Sequence, residues 1–372
     1  MRSLRHFGEI DGLRAAAILL VLLFHFTPGH DAHLGVRALP FKVADLGWSG
    51  VDLFFVISGF LITAKLIAAR GQRHRYRNFY VRRALRIFPL YYLALAIAFV
   101  LVPLASARVP APPVSSQLPF WLYYANWLQE RFDLHYVAVG HFWSLAIEEQ
   151  FYAVWPLVIF TLSARASRLA CVAIVIAAPL LRFALASNAW PWFPTFAWTP
   201  CRADGLAIGS LLAFVYADER LRARAFRWSV ALMLATVPPL AWVLWRGKSQ
   251  LVFHDLATPE ALAIRTLLPS VLALFFGALL VLALELPRLG RLLSTKPLRL
   301  LARYSYGTYV FHFLLMPAFL LLFPPARLAS SPNAAAALFW LIASIISIAI
   351  AALSYRLFEG PLLKLKDVYA KD

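Results

Sequence analysis

Apolar blocks of about 20 residues recur along almost the whole chain, and no other feature limits its possible folds as strongly. A helix of that length rises about 30 Å, the thickness of the hydrocarbon core of a bilayer. Of the 372 residues, 62% are apolar and 15% are charged, and the mean hydropathy is +0.70. Soluble domains have about 45–50% apolar and about 25% charged residues. The sequence therefore predicts an all-α polytopic membrane protein and excludes a soluble enzyme, a disordered chain and a coiled coil.

We predict ten membrane-spanning segments. Each is expected to be a helix, because backbone polar groups in lipid must form hydrogen bonds within their own segment. Pro89, Pro156, Pro179 and Pro317 lie inside these segments and are predicted kink positions. The segments cover residues 9–28, 47–69, 87–106, 141–163, 168–187, 200–217, 228–245, 261–286, 304–323 and 334–355.

The chain has a net charge of +18, and the distribution of its Lys and Arg residues between the loops predicts the orientation of these segments. With the N-terminus in the cytoplasm, the inner segments hold 24 Lys and Arg residues and the outer loops hold 7. This asymmetry predicts that both termini lie inside. It also explains a charge that would indicate nucleic acid in a soluble protein, so we expect no nucleic-acid partner. The two cysteines, Cys171 and Cys201, lie in apolar segments and support neither a disulfide framework nor a metal site.

The segments between the predicted spans indicate a single membrane domain over residues 1–372, with no appended soluble domain. The first apolar run has no small-residue cleavage site after it, so we predict an uncleaved span. The longest outer segment, residues 107–140, begins with a Pro-rich stretch. Its residues 120–124 are apolar and aromatic and predict a short interfacial or re-entrant helix.

Arg14 and His25 are ionisable residues inside the first span, where a charge costs about 2.5–3.5 kcal/mol. Their separation is close to three helical turns, which places them on one face about 16 Å apart. A neutral imidazole is the side chain best suited to accept a proton near pH 7. The alternative is that Arg14 reaches lipid headgroups and His25 bonds to a carbonyl.

Glu148 and Glu149 lie about two turns into the fourth span, at a depth similar to that of His25. One of these acids could orient the imidazole or stabilise its protonated form. The alternative is an ion pair with Arg182 or Arg202 that only fixes helix packing.

Arg82, Arg83 and Arg86 lead into the third span, and their spacing of three and four residues makes a cationic face at the cytoplasmic rim. Guanidinium groups bind phosphate through two hydrogen bonds. The alternatives are a plain orientation signal or binding of lipid headgroups.

Several other polar residues lie at membrane depth, and structural contacts are the favoured role for Asp52, Arg202, Asp204 and His312. Small residues between positions 47 and 61 predict a close approach of helices. With cations at the inner rim and a His with carboxylates nearer the outside, a phosphate-bearing donor could dock from the cytoplasm and deliver a group outward. His6 and Asp11 have the His-x4-Asp spacing of glycerolipid acyltransferases, but no phosphate-site motif accompanies them.

Six motifs in order resemble those of the acyltransferase 3 family, bacterial membrane acyltransferases that modify cell-surface polysaccharides. Their order and spacing agree over a core of about residues 8–360. The motifs are Arg14-x10-His25 after Glu9-Ile10-Asp11-Gly12-Leu13, the segment 51–62, Arg83-x-x-Arg86, Trp143-Ser144-Leu145 with Glu148, Phe151 and Tyr152, the segment 202–206, and Ser305-Tyr306 with Tyr309 and His312.

The resemblance implies ten core helices and transfer of an acyl group, most often acetyl from acetyl-CoA. The implied acceptor is a sugar hydroxyl at the outer face of the bacterial inner membrane or on a lipid-linked saccharide. Acyl-CoA is expected as a substrate, with no tightly bound cofactor and no metal. Some members carry an additional hydrolase-like domain. Without one, this domain would complete the transfer or pass the group to a separate protein.

The resemblance also supplies the candidate site. Its catalytic residues would be His25 as general base or nucleophile, Glu148, which orients His25, and Arg14, which also helps to hold the CoA phosphates. The residues predicted to bind the donor are Arg82, Arg83, Arg86 and Ser58. Further candidate pocket residues are Asp52, Trp143, Tyr152, Arg202, Asp204, Tyr309 and His312.

A transporter that uses His, Glu and Asp as a proton relay is the competing class. Inverted repeats and paired broken helices would indicate a transporter, and the sequence shows neither. The identity of the acceptor, the length of the acyl chain and the oligomeric state are left open.

Overall fold

A computed structural model describes residues 8–27, 43–105, 111–128, 138–255 and 258–370. Within these ranges the regular elements are helices and there is no strand, which confirms the all-α prediction. The principal helices are α1 (Gly8–Phe26), α2 (Gly50–Ala68), α3 (Arg75–Ala96), α4 (Val114–Trp121), α5 (Trp143–Thr161), α6 (Ala164–Ser187), α7 (Thr199–Ala217), α8 (Glu219–Arg246), α9 (Pro259–Glu285), α10 (Lys296–Leu314), α11 (Met316–Leu322) and α12 (Pro332–Ser354). Short α-, 3₁₀- and π-helical turns cover Gly47–Ser49, Ile97–Leu101, Val102–Ala105, Ala125–Leu128, Gly140–Phe142, Trp192–Ala197, Ser249–Phe253, Pro287–Leu293, Pro325–Leu328, Tyr355–Glu359, Gly360–Lys364 and Lys366–Tyr369.

In the described residues, six helical segments are long and apolar enough to span a membrane, or seven if the bent pair Lys296–Leu314 and Met316–Leu328 forms one span. Three further helices of 19 residues, α1, α5 and α7, have a sufficient length but carry the ionisable residues discussed above. The chain is thus a multi-pass membrane protein. The count of ten spans and the sides of the termini stay predictions.

Side chains at the helix ends explain several boundaries. Ser163, Asp218 and Thr258 precede α6, α8 and α9, and the side chain of each accepts a hydrogen bond from a backbone N–H of the first turn. These caps satisfy amide groups that have no partner inside the helix. Gly247 ends α8 in the left-handed region, with φ of 63°, where a residue without Cβ is favoured.

Three helices begin at least eight residues earlier than predicted. The seventh predicted span, from residue 228, is part of α8, which begins at Glu219. The third predicted span, from residue 87, is part of α3, which begins at Arg75, and the ninth, from residue 304, is part of α10, which begins at Lys296. Hydropathy marks where lipid contact begins, whereas a helix continues through polar residues until a breaker stops it. The arginines of the third span therefore lie inside α3 and not before it.

The predicted helix at residues 120–124 is wrong in its position. The helix α4 ends at Trp121, and Tyr123 has a φ of 55°, which no α-helix accommodates. By contrast, α10 and α11 meet at a bend of 61° next to Pro317, as predicted, because proline lacks the N–H that would continue the helix. Pro89, Pro156 and Pro179 lie within helices α3, α5 and α6.

One compact unit consists of Met1–Phe24, Arg37–Ala68 and Phe151–Arg303. Its helices α2 and α7 cross closely, because a Cβ added at Gly59 or Gly209 would lie 2.0 Å from a backbone oxygen of the other helix. Beside this crossing, Thr63 Oγ1 donates a hydrogen bond of 2.8 Å to Ser210 Oγ. The crossing agrees with the close approach that the small residues predict.

The second unit consists of His25–Val36, Ala69–Gln150 and Tyr304–Asp372. In this unit, the Tyr91 hydroxyl of α3 donates a hydrogen bond of 2.7 Å to the Phe120 carbonyl of α4, and the Tyr91 ring stacks on Tyr123 at 4.0 Å. Gln150 Nε2 of α5 donates a hydrogen bond of 2.7 Å to the Tyr123 carbonyl. These contacts hold the segment that contains α4 against α3 and α5.

Candidate active site

Three imidazoles meet in the second unit. His25 is the penultimate residue of α1, His141 lies in the turn before α5, and His312 lies in the last turn of α10. The ring centroids of His25 and His312 are 4.9 Å apart, and those of His141 and His312 are 4.8 Å apart. His312 is 0% exposed and His141 is 5% exposed. The structure therefore brings the predicted residues His25 and His312 together and adds His141.

The backbone carbonyl of Tyr309 organises two of these rings. His312 Nδ1 lies 2.6 Å and His141 Nε2 lies 2.8 Å from this oxygen. Because a carbonyl oxygen only accepts, both nitrogens carry a proton and donate to it. His312 Nε2 lies 3.2 Å from His25 Nδ1, so the His312 ring links the His25 ring to the Tyr309 carbonyl.

Two hydroxyl groups close the other side of His141. Tyr309 Oη and Ser144 Oγ are hydrogen-bonded at 2.5 Å, and both oxygens lie 3.1 Å from the His141 carbonyl oxygen, so one hydroxyl donates to the other, which donates to the carbonyl. Tyr309 was predicted as a pocket residue, whereas sequence reasoning gave no role to His141 or Ser144. The available signal was that His141 lies two residues before the Trp143-Ser144-Leu145 motif, at the outer end of a predicted span.

The two acids of α5 have different surroundings. Glu148 lies within electrostatic reach of the Tyr309 hydroxyl. Glu149 lies within electrostatic reach of Arg83, and its Oε1 is buried without a hydrogen-bond partner among the described residues. In contrast to the ion-pair alternative, Arg182 and Arg202 form their buried ion pairs with aspartates in the first unit.

The three arginines of α3 are separated by their contacts. Arg82 donates a hydrogen bond of 2.8 Å to the Ala370 carbonyl near the C-terminus. Arg83 lies within electrostatic reach of Glu149, and Arg86 lies within electrostatic reach of Glu359. Arg82 is thus engaged by the main chain, while Arg83 and Arg86 are one turn apart on α3.

The predicted charged pocket residues that lie in the first unit form buried ion pairs between helices. Arg202 of α7 bonds to Asp52 of α2 at 2.7 Å, and its guanidinium lies 4.9 Å from the centre of the Phe196 ring. Asp204 of α7 bonds to Arg182 of α6 at 3.0 Å and accepts a hydrogen bond of 2.6 Å from Ser270 of α9.

The remaining candidates lie as follows. Ser58 and Tyr152 form a hydrogen bond between their hydroxyl groups in the first unit. Arg14 is half-buried in α1, and Trp143 is half-buried at the start of α5.

In the ranges that the structure describes, no group of three or more His, Cys, Asp or Glu side chains could hold a metal ion. His6, the first residue of the His-x4-Asp spacing noted in the sequence, lies outside the described residues.

Comparison with known families identifies the class. Residues 7–356 match the family model Acyl_transf_3, described as an acyltransferase domain. The chain therefore belongs to this acyltransferase family, which confirms the resemblance stated above.

Individual relatives are similar over nearly the whole chain. The identity is 30% to a Bacillus subtilis protein named "Putative peptidoglycan O-acetyltransferase YrhL", covering 96% of this chain and 55% of the relative. It is 28% to the peptidoglycan O-acetyltransferase OatA of Listeria monocytogenes, covering 97% and 56%. It is 25% to the O-acetyltransferase OatA of Staphylococcus aureus, covering 84% and 51%. The chain spans about half the length of these curated relatives. No solved structure matches it.

Proposed function

We propose that this protein is a membrane O-acetyltransferase that moves an acetyl or other short acyl group from acyl-CoA to a hydroxyl of a cell-wall glycan. The observation that carries the proposal is a linked pair of imidazoles, His25 and His312, in the same unit as the arginines of α3. Membership of the acyltransferase family supports the reaction class. The names of the relatives favour peptidoglycan as the first acceptor to test.

The donor is held by its phosphates. Arg83 and Arg86 lie one turn apart in the middle of α3, and two guanidinium groups at this spacing suit the phosphates of CoA. Arg14 and Ser58 stay predicted donor contacts. The bacterial inner membrane is the proposed location, with the donor entering from the cytoplasm.

His25 is the proposed centre of the chemistry. As general base it takes the proton of the acceptor hydroxyl while the oxygen attacks the thioester carbonyl. The C–O bond forms, the C–S bond breaks, and the CoA thiolate takes the proton from His25. As nucleophile it would first carry the acyl group on a ring nitrogen. Glu148, which lies within electrostatic reach of the Tyr309 hydroxyl, would stabilise the protonated ring.

The test is His25→Ala in isolated membranes supplied with radiolabelled acetyl-CoA and glycan. A base near its working pH contributes about 10²–10⁴ in rate, so label transfer should fall by that factor with unchanged protein levels. The matched control is His74→Ala, an exposed histidine, which should keep full activity. Full transfer by the His25 variant would refute the assignment. Uptake of substrate without covalent transfer would favour a transporter.

A further inference from the structure

We propose that His312 is a positioning residue that fixes the tautomer of His25, and that the backbone carbonyl of Tyr309 anchors this arrangement. The consequence for catalysis rests on the proposed function of His25. The arrangement itself is independent of any activity, because it follows from the hydrogen bonds among three buried or half-buried rings.

The tautomers follow step by step from the acceptor at the end of the chain. The Tyr309 oxygen, 2.6 Å from His312 Nδ1, only accepts, so the proton of His312 is on Nδ1. A neutral imidazole has one N–H, and therefore Nε2 of His312 is an acceptor. Its neighbour at 3.2 Å is His25 Nδ1, which must donate. Neutral His25 then has its proton on Nδ1 and its lone pair on Nε2.

His141 strengthens the anchor. It donates to the same Tyr309 oxygen over 2.8 Å, so two imidazole donors converge on one carbonyl. The ring of Phe26 meets His312 edge-on at 6.0 Å, and His312 is fully buried. Packing on both sides, together with exclusion of water, opposes a flip of the His312 ring that would reverse its donor and acceptor.

The fixed tautomer matters because only the unprotonated nitrogen of a neutral imidazole can accept a proton or attack a carbonyl. When His25 Nε2 takes a proton, Nδ1–H keeps its bond to His312, which becomes a stronger, charge-assisted hydrogen bond. Loss of the group that sets the tautomer of a catalytic histidine lowers kcat by up to about 10⁴ in a well-studied triad.

Two substitutions of similar polarity distinguish the roles of the two ring nitrogens of His312. His312→Gln places an amide oxygen near the position of Nε2 and can still accept from His25. His312→Asn places its amide near the position of Nδ1 and can only reach the Tyr309 carbonyl. We expect the Asn variant to lose about 10²–10⁴ in kcat with the donor KM unchanged. The Gln variant should keep about tenfold more activity, which is what one neutral hydrogen bond supports. Equal activity of the two folded variants would overturn the proposal.

A second measurement needs no activity. Nitrogen NMR of ¹⁵N-histidine-labelled protein in detergent distinguishes the two neutral tautomers, and the His25 signal is assigned by its absence in His25→Ala. We expect the proton on Nδ1 in the parent and on Nε2 in a substantial fraction of His312→Asn. A parent His25 with its proton on Nε2 would overturn the proposal.

The two hypotheses fail in different ways. If His25→Ala stays active while the parent shows the Nδ1–H tautomer, the proposed function fails and the positioning stands. If His25→Ala is inactive while the Asn and Gln variants of His312 match the parent, the function stands and the positioning fails.

Discussion

The crossing of α2 and α7 predicts that Gly209→Ala destabilises the protein sharply. A Cβ at this position would lie 2.0 Å from the Val56 oxygen and 2.8 Å from the Phe60 nitrogen. Both are backbone atoms of α2, so no side chain can rotate away. Because real Cβ contacts are essentially never shorter than 3.0 Å, the helices must separate by at least about 1 Å at this point.

The cost follows from that separation. Overpacking of this kind costs about 1–3 kcal/mol. A shift of about 1 Å also stretches the 2.8 Å hydrogen bond between Thr63 and Ser210 beyond bonding distance, which removes about 0.5–1.5 kcal/mol more. For a chain of 372 residues such a loss lowers Tm by roughly 2–6 °C.

The assay is thermal unfolding of the purified protein in detergent, with Gly71→Ala as the matched control. A Cβ at Gly71 would meet nothing within 4 Å, so this variant should melt like the parent. Equal melting of the Gly209 and Gly71 variants would refute the idea that this crossing depends on the absence of a Cβ.

Two further predictions concern charged residues. Asp52→Asn leaves the buried guanidinium of Arg202 without its charged partner, so we expect a loss of about 3–5 kcal/mol, seen as a low yield of monodisperse protein; a normal yield and Tm would contradict this. Arg83→Ala should raise the donor KM in the labelled-acetyl assay. Arg82→Ala should instead leave KM unchanged and speed proteolysis near Ala370, and equal KM changes in both variants would refute the distinction.

Much of the fold is predictable from the sequence, because the apolar blocks mark the segments that must be helical in lipid. The helix α2 ends at Ala68 and α6 ends at Ser187, within a residue of the predicted ends. Early polar turns such as the one at Arg75 escape this reasoning, because hydropathy reports contact with lipid and not hydrogen bonding. The helix predicted at residues 120–124 was placed wrongly, because an apolar aromatic run does not show where the backbone turns.

The candidate site is predictable as separate residues but not as an arrangement. His25 and His312 were both named from the sequence, yet 287 positions separate them, and no local pattern states that their rings meet. His141 carries no periodic signal, since it stands alone at the start of a span. The hydrogen-bond acceptor that organises the rings is the backbone carbonyl of Tyr309, and because every residue has such a carbonyl, the sequence does not reveal it.

That last point bears on how the site would respond to genetic change. Every residue type at position 309 supplies a peptide oxygen, so a saturation library at that codon samples only the loss of the phenol. Provided that α10 stays intact, Tyr309→Phe keeps the oxygen to which His141 and His312 donate. A tolerant outcome at this codon would therefore leave the importance of the peptide group unmeasured, and backbone ester substitution is the chemistry that would reach it.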